Sequence, residues 1–278
     1  MKIHILVDNN TLIDRYFQGE PGVSYYIEDE NTNILFDAGY SEIFINNARK
    51  MQLDLYNIDY IVISHGHIDH TWGLVPLMRL QTEAVIEGLD YKRPGFVSHP
   101  EALDSKFFQE EAIGSIISSN KLEKHYEMLL TREPYWLTDN IVFLGEIERK
   151  NDFEGKDAIG KYEKDGMMKK DYVKDDSALV YKSSEGLVII TGCSHAGICN
   201  IVDYAKKVCE EERIVDIIGG FHLLDPEQAV LEKTVEFFRD LKPDIIHACH
   251  CTDLKSKIEL SKAVEIEEVG VGMTLLYD

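Results

Sequence analysis

A cluster of histidines with one aspartate follows directly after a short apolar run in the first third of the chain. Residues 60–63 read Y-I-V-I, which predicts a buried strand, and residues 64–73 read S-H-G-H-I-D-H-T-W-G. Histidine is scarce elsewhere, with 10 among 278 residues. A rigid sheet fixes the groups at the end of a strand, which is a common position for catalytic residues.

The spacing within this cluster suits metal binding. His65, His67 and Asp69 alternate, so they lean to one side of an extended backbone, whereas His70 can face a second ion. Gly66 permits a tight turn between the first two histidines. Imidazole and carboxylate are ligands of zinc and related divalent ions. The alternative is a polar loop or a helix cap, which does not account for the local concentration of histidine.

Three more histidines follow predicted apolar strands in the second half of the chain. They are His195, His222 and His250. Equivalent strand ends in one sheet converge on a common edge, so we expect these side chains to be ligands or active-site groups. The remaining four are interpreted as structural or exposed: His4, His99, His125 and His247.

Composition and charge argue against several classes of function. The formal net charge is −21, and an acidic surface repels phosphate backbones, so nucleic acid is not an expected partner. No apolar run reaches the ~18 residues of a membrane span, and the start lacks the apolar core of a signal peptide. Five cysteines without such a signal argue against a disulfide framework. We therefore expect a cytoplasmic protein without membrane contacts, whereas the sequence does not indicate an oligomeric state.

The apolar pattern predicts strands in both halves of the chain. Strands are expected at residues 2–7, 23–28, 33–36, 60–63, 141–144, 177–181, 187–190, 214–218 and 244–247. Helices are expected at residues 41–51, 197–209, 226–241 and 252–263. The first half favours antiparallel pairs, and the second half alternates strand and helix. This order favours an α/β fold of four layers, with two packed sheets and helices outside.

We expect a single domain over residues 1–278. The charged stretch 148–176 has little periodicity and predicts an inserted loop. Such a loop is either a lid over a site or a plain exposed connection.

Six motifs, taken together, resemble those of the metallo-β-lactamase superfamily. In chain order they are V-D-N-N-T-L-I-D (7–14), N-I-L-F-D-A-G (33–39), S-H-G-H-I-D-H-T (64–71), T-G-C-S-H-A-G (191–197), G-G-F-H-L (219–223) and H-C-T (250–252). They are similar to the branch named for dihydropterin–ribofuranosylaminobenzene phosphate synthase. The resemblance implies an αββα sandwich of two mixed sheets with a metal centre at one edge.

The resemblance assigns ligand roles residue by residue. His65, His67, Asp69 and His70 match the first metal motif, and His250 matches the final ligand of a second metal. Each of these side chains is therefore expected to bind a divalent ion.

The chain departs from the family pattern at two places. Residues 144–147 read L-G-E-I where the family has a histidine turn, and residues 192–193 read G-C where it has a bridging aspartate. The resemblance therefore implies that His195 supplies the missing imidazole. Cys193 is either a thiolate ligand or a small buried side chain, and His222 is either a ligand or a proton donor. Asp37 is expected to support the site without binding metal.

Together these patterns favour a metal-dependent hydrolase, and the resemblance implies that it acts on a phosphorylated small molecule. One or two divalent ions would activate water, with zinc preferred and manganese or iron as alternatives. Catalytic roles fall to Asp69 and His222, and metal-binding roles to His65, His67, Asp69, His70, His195 and His250.

Two other functions stay open. One is a transferase that joins a dihydropterin pyrophosphate to a ribofuranosylaminobenzene phosphate, as the resemblance implies. The other is a metal-binding protein without enzymatic activity, since a fold does not guarantee a reaction. The net charge and the absence of a basic stripe argue against a nuclease.

Overall fold

The computed structural model describes all residues from 1 to 278. The strands are β1 (Lys2–Val7), β2 (Ser24–Asp29), β3 (Thr32–Phe36), β4 (Tyr60–Val62), β5 (Gly95–Ser98), β6 (Lys106–Phe108), β7 (Glu111–Ala112), β8 (Glu127–Leu130), β9 (Tyr135–Trp136), β10 (Ile141–Phe143), β11 (Lys161–Lys164), β12 (Met167–Lys170), β13 (Ala178–Ser183), β14 (Gly186–Thr191), β15 (Ile214–Gly220), β16 (Ile245–Cys249) and β17 (Thr274–Leu276). The helices are α1 (Ile43–Met51), α2 (Ile68–Thr71), α3 (Leu74–Glu87), α4 (Ser119–Leu122), α5 (Ile198–Cys209), α6 (Gln228–Leu241) and α7 (Leu254–Leu260).

These elements fall into two compact units. The first unit comprises Met1–Thr131, Gly160–Lys170 and Gly270–Tyr277. The second unit comprises Arg132–Ile159, Asp171–Val269 and Asp278. Each unit has its own sheets and its own apolar core. The expectation of a single domain stays a prediction.

The first unit is built on a seven-stranded mixed sheet. Its strand order is β17-β1-β2-β3-β4-β5-β8. The strands from β17 to β3 pair antiparallel, whereas β3, β4, β5 and β8 pair parallel. Parallel strands are buried on both faces, which explains the continuous apolar run of β4. Because β3, β4 and β5 run in one direction, the segments that follow them begin at the same edge of this sheet.

Part of the stretch 148–176 forms regular structure, contrary to the prediction of a loop throughout. Strands β11 and β12 make a hairpin, and β11 pairs with β6 in a small sheet of order β12-β11-β6-β7. Most side chains of this hairpin are exposed, so the strands lack the apolar alternation that marks a half-buried strand. The charged composition of this stretch therefore contains no sequence signal that predicts the hairpin.

The second unit is built on a six-stranded mixed sheet of order β16-β15-β14-β13-β10-β9. Strands β14, β15 and β16 pair parallel, with α5 and α6 as the connections between them. In α5, Ile198, Ile201, Val202 and Ala205 are all buried, which is the spacing of one helical face. The core of this unit forms where that face meets the apolar side chains of the sheet.

The predicted elements mostly match those observed. Each predicted strand and helix has an observed counterpart, with shifts at the ends such as α6 beginning at Gln228 rather than residue 226. The antiparallel prediction for the first half is correct for the strands from β17 to β3 and for β6 with β7, but wrong for β3, β4, β5 and β8, which pair parallel. None of the seven helices is both long enough and apolar enough to cross a bilayer.

Candidate metal centre

In the first unit, the ends of β3 and β4 are joined by hydrogen bonds between Asp37 and Ser64. The backbone N–H of Ser64 donates to Asp37 Oδ1 over 2.7 Å, and the Ser64 hydroxyl donates to Asp37 Oδ2 over 2.7 Å. Both residues are fully buried. Asp37 adopts a left-handed backbone conformation with φ 56°, which is uncommon outside glycine but which aspartate adopts more readily than most residues. The carboxylate thus fixes the start of the histidine cluster.

Asp37 also orients His70. The ring nitrogen Nδ1 of His70 donates to Asp37 Oδ2 over 2.6 Å, which leaves Nε2 facing away from this carboxylate. His70 Nε2 lies 3.6 Å from Asp69 Oδ2. A carboxylate that holds the far nitrogen of a ligand histidine is the usual support of a metal site. This geometry agrees with the supporting role predicted for Asp37.

His65 and His67 present ring nitrogens to each other. The one hydroxyl proton of Ser64 is directed at Asp37, so His65 Nδ1 donates to Ser64 Oγ over 3.0 Å, which leaves the lone pair on His65 Nε2. His67 Nδ1 lies 3.0 Å from that Nε2. Two nitrogen ligands of one tetrahedral zinc ion lie about 3.3 Å apart, given zinc–nitrogen distances of about 2.0–2.1 Å. The pair therefore fits a shared ion.

Only glycine fits at position 66, between these two histidines, because the backbone packs closely against another part of the chain there. A Cβ atom added at Gly66 would lie 1.9 Å from the carbonyl oxygen of Ala102. No side chain fits there, because the backbone of the cluster runs directly against the backbone of Ala102. The sequence predicts that Gly66 permits a tight turn, and the structure adds a steric reason for glycine at this position.

In the second unit, the three parallel strands end beside one another, and each leads to a predicted site residue. Cys193 and His195 follow β14, His222 follows β15, and His250 follows β16. The backbone is left-handed at His222 with φ 52° and at His250 with φ 51°. Because strain of this kind concentrates at functional sites, these strand ends are candidate site positions.

The side chains at these strand ends are in contact. The rings of His195 and His222 lie 4.3 Å apart between centroids, and Cys193 Sγ lies 3.1 Å from His250 Nε2. His222 is exposed, whereas Cys193 is buried. Burial raises the pKa of the half-buried Cys251 thiol, but the hydrogen bond with Cys193 and the neighbouring His250 ring outweigh burial and bring the pKa to about 6. Thiol and imidazole donors therefore meet at this edge.

Two buried carboxylates that the sequence did not single out support the strand ends. Asp176 Oδ2 accepts the N–H of Ala196 over 2.8 Å, next to His195. Burial raises the pKa of Asp176 to about 7, although the hydrogen bond from Ala196 opposes this shift. Glu154 Oε1 accepts the N–H of Asn200 over 2.6 Å and so satisfies the first turn of α5. Both carboxylates lie in or beside the stretch predicted as a loop, where only a local concentration of acidic residues could have marked them.

The sequence comparison decides the family. A model described as the metallo-beta-lactamase superfamily matches residues 18–250. The chain belongs to the metallo-β-lactamase superfamily. This confirms the predicted family, and the mixed sheets with their helices confirm the predicted fold class.

Relatives within the metallo-β-lactamase superfamily match nearly the whole chain. An uncharacterised protein of Methanocaldococcus jannaschii, MJ0448, is 34% identical over 261 residues, or 94% of each chain. The 7,8-dihydropterin-6-methyl-4-(beta-D-ribofuranosyl)-aminobenzene-5'-phosphate synthase of the same organism is 30% identical over 266 residues, covering 92% of this chain and 89% of the synthase. A solved structure, Tm1679, described as a metal-dependent hydrolase of the beta-lactamase superfamily, matches all of both chains with TM-score 0.84 and 31% identity.

The metallo-β-lactamase chain carries groups of histidine, aspartate and cysteine side chains that can hold a metal ion. The side chains that make up these groups are His65, His67, Asp69 and His70 from the first unit, and Cys193, His195 and His250 from the second unit. The assignment of individual ligands and of Asp69 and His222 as catalytic groups stays a prediction.

Proposed function

We propose that this metallo-β-lactamase protein is a hydrolase of phosphorylated small molecules that uses one or two divalent ions. The proposed ligands are His65, His67, Asp69, His70, His195 and His250. The observation that carries the proposal is the ordered set of donors after β4, in which Asp37 holds His70 and Ser64 holds His65. Such outer hydrogen bonds fix the tautomer and direction of ligand rings.

The donor set suits zinc. Imidazole nitrogen predominates, with carboxylate from Asp69 and a thiol nearby at Cys193. Manganese and iron accept the same nitrogen and oxygen donors. A location in the cytoplasm is part of this proposal, because none of the five cysteines is joined in a disulfide.

In the proposed reaction, Asp69 and His222 each carry out one proton transfer. When bound, a divalent ion lowers the pKa of water and stabilises negative charge on a phosphoryl oxygen. The Asp69 carboxylate orients the attacking water and accepts its proton as the new phosphorus–oxygen bond forms. The exposed imidazole of His222 donates a proton to the leaving oxygen as the ester bond breaks.

Turnover of phosphate esters by the zinc-reconstituted chain tests this proposal. Bis(p-nitrophenyl) phosphate and p-nitrophenyl phosphate report diester and monoester cleavage. We expect His67→Ala and Asp69→Asn to lower kcat/KM by at least about 100-fold, the scale of one acid–base group. His125→Ala is the matched control, because His125 lies outside the cluster, after α4. Unchanged turnover in both site variants would rule out the hydrolase.

A transferase is the second candidate, and the 30% identity to the methanopterin-pathway synthase favours it. In that reaction, the site would hold the phosphates of a dihydropterin pyrophosphate while a ribofuranosylaminobenzene phosphate displaces pyrophosphate. Incubation with both substrates would yield the joined product and pyrophosphate. Stable metal binding without turnover in either assay would instead indicate a non-enzymatic metal-binding protein.

A further inference from the structure

The second unit contains a cavity of about 360 Å³ beside its strand-end histidines. His195 and His222 lie on its wall together with Phe153, Phe221 and Val230. This volume is within the range of about 300–1,000 Å³ that is typical of small-molecule sites. The cavity is therefore large enough for an organic group and is in contact with two predicted site residues.

The aromatic walls of the cavity are held in place by their own contacts. Phe153 is partly exposed and Tyr172 is exposed, so these two lining rings offer surface to a ligand. Phe221, in contrast, is almost fully buried and stacks on Phe238. The Lys233 ammonium lies 5.3 Å from the centre of the Phe153 ring. Preorganised aromatic surfaces bind a ligand with less loss of conformational entropy. The walls thus favour a flat, apolar group.

The charged residues around the cavity disfavour a second anionic group. Asp157 and Glu227 are exposed acidic side chains on its lining, against one lysine, Lys156. The buried Glu154 carboxylate already accepts backbone N–H groups from Cys199 and Asn200. The excess of negative charge on the lining disfavours a second carboxylate or phosphate in the cavity. An uncharged group is therefore the better fit.

We infer that this cavity binds an uncharged aromatic or heteroaromatic group that is esterified to the phosphate of the substrate. The inference rests on the proposed function for the position of the phosphate, at the histidine end of the cavity. There the rings of His195 and His222 lie 4.3 Å apart. A leaving group seated between the aromatic walls has its ester oxygen beside His222, the proposed proton donor.

Binding of phosphonates tests the inference without requiring turnover. The zinc-loaded full chain is titrated calorimetrically with phenylphosphonate and with methylphosphonate, which share the anionic group and differ in the ring. Because burial of the apolar ring strengthens binding, we expect phenylphosphonate to bind at least about tenfold more tightly than methylphosphonate. Equal affinities, or no binding of phenylphosphonate, would overturn the inference.

Two variants localise the preference to the cavity. Val230→Trp fills the cavity from α6 and is expected to reduce the preference to less than about twofold, the loss of most of the ring contribution. Val85→Trp is the matched control, since Val85 is exposed on α3 in the first unit. Phe153→Ala removes one aromatic wall and is the alternative cavity variant if Val230→Trp does not fold. A full preference in the cavity variants would overturn the inference.

The same titrations separate this inference from the proposed function. A preference for the phenyl ligand that is lost in Val230→Trp, in a protein that hydrolyses no phosphate ester, would support the cavity assignment and reject the hydrolase. Hydrolysis of esters with no preference between the two phosphonates would support the hydrolase and reject the cavity assignment.

Discussion

Nδ1 of His70 donates a hydrogen bond of 2.6 Å to Oδ2 of Asp37, and both side chains are fully buried. The bond joins residues 33 positions apart and directs His70 Nε2 away from the carboxylate. A pair of similar geometry lies in the second unit, where His247 Nδ1 donates to Asp216 Oδ2 over 2.7 Å. The second pair lies outside the proposed ligand set, so the two pairs allow a matched comparison.

Asp37→Asn is expected to weaken zinc binding. Loss of the carboxylate removes the group that holds the His70 ring, and changes of this kind typically cost about 10–100-fold in metal affinity. A competitive titration with a chromophoric chelator measures the effect. Asp216→Asn is the control and should leave the affinity unchanged. Wild-type affinity in Asp37→Asn would show that this bond does not support a ligand.

The Asp216–His247 pair predicts a pH dependence of stability. Burial lowers the pKa of His247, but the hydrogen bond and charge of Asp216 outweigh burial, so the net pKa is raised. A histidine with a raised pKa stabilises the fold below its unfolded value of about 6.5, and this contribution is lost as the pH rises through the folded value.

Asp216→Asn should therefore flatten the fall in the free energy of unfolding between about pH 6 and pH 8, on either side of the ordinary histidine pKa. Urea unfolding of the wild type and the variant at both pH values measures this. The same fall in both proteins would contradict the assignment.

We predict that the thiolate of Cys193 adds a seventh metal ligand to the six in the proposed set. Its Sγ lies 3.1 Å from Nε2 of the proposed ligand His250, at the position where the family pattern has an aspartate. Cobalt-substituted protein should then show an intense sulfur-to-cobalt charge-transfer band in the near ultraviolet. Cys193→Ser should remove the band, whereas Cys209→Ser, a buried cysteine at the end of α5, should retain it. A band that persists in Cys193→Ser would exclude this thiolate.

Gly66→Ala is expected to destabilise the fold and weaken metal binding together. The new Cβ would lie 1.9 Å from the Ala102 carbonyl oxygen, so the backbone between His65 and His67 must move. Overpacking of this kind costs roughly 3 kcal/mol. Gly88→Ala is the control, because its Cβ would meet nothing within 4 Å and only its φ of 71° opposes alanine, at about 1 kcal/mol. Equal melting temperatures in the two variants would contradict the steric argument.

The elements that the sequence predicts well are those whose own side chains are buried. Every residue of β14 is buried, and its apolar run needs no knowledge of the partner strand. The hairpin of β11 and β12 is different, since its side chains are mostly exposed and β11 pairs with β6, far away in the chain. Exposed strands of this kind have no local apolar pattern, so the sequence indicates only a charged loop.

Parts of the candidate site are likewise predictable from the sequence, and other parts are not. The cluster of residues 64–70 is predictable as a candidate site because its proposed ligands are neighbours in sequence. The histidines after β14, β15 and β16 are predictable because parallel strands place their ends at one edge. The roles of Ser64 and Asp176 are not predictable from the sequence. Each acts through a hydrogen bond to a residue distant in the chain, and no local pattern shows that the two residues lie close in space.

The metal content of the purified chain tests the central claim most directly. Elemental analysis after zinc loading and dialysis compares the wild type with two double variants, His65→Ala/His67→Ala and His195→Ala/His250→Ala. We predict one or two zinc ions per wild-type chain and a clear loss in both variants, because each removes imidazole ligands of the proposed site. A wild type that retains no zinc, or variants that retain the wild-type content, would contradict the account.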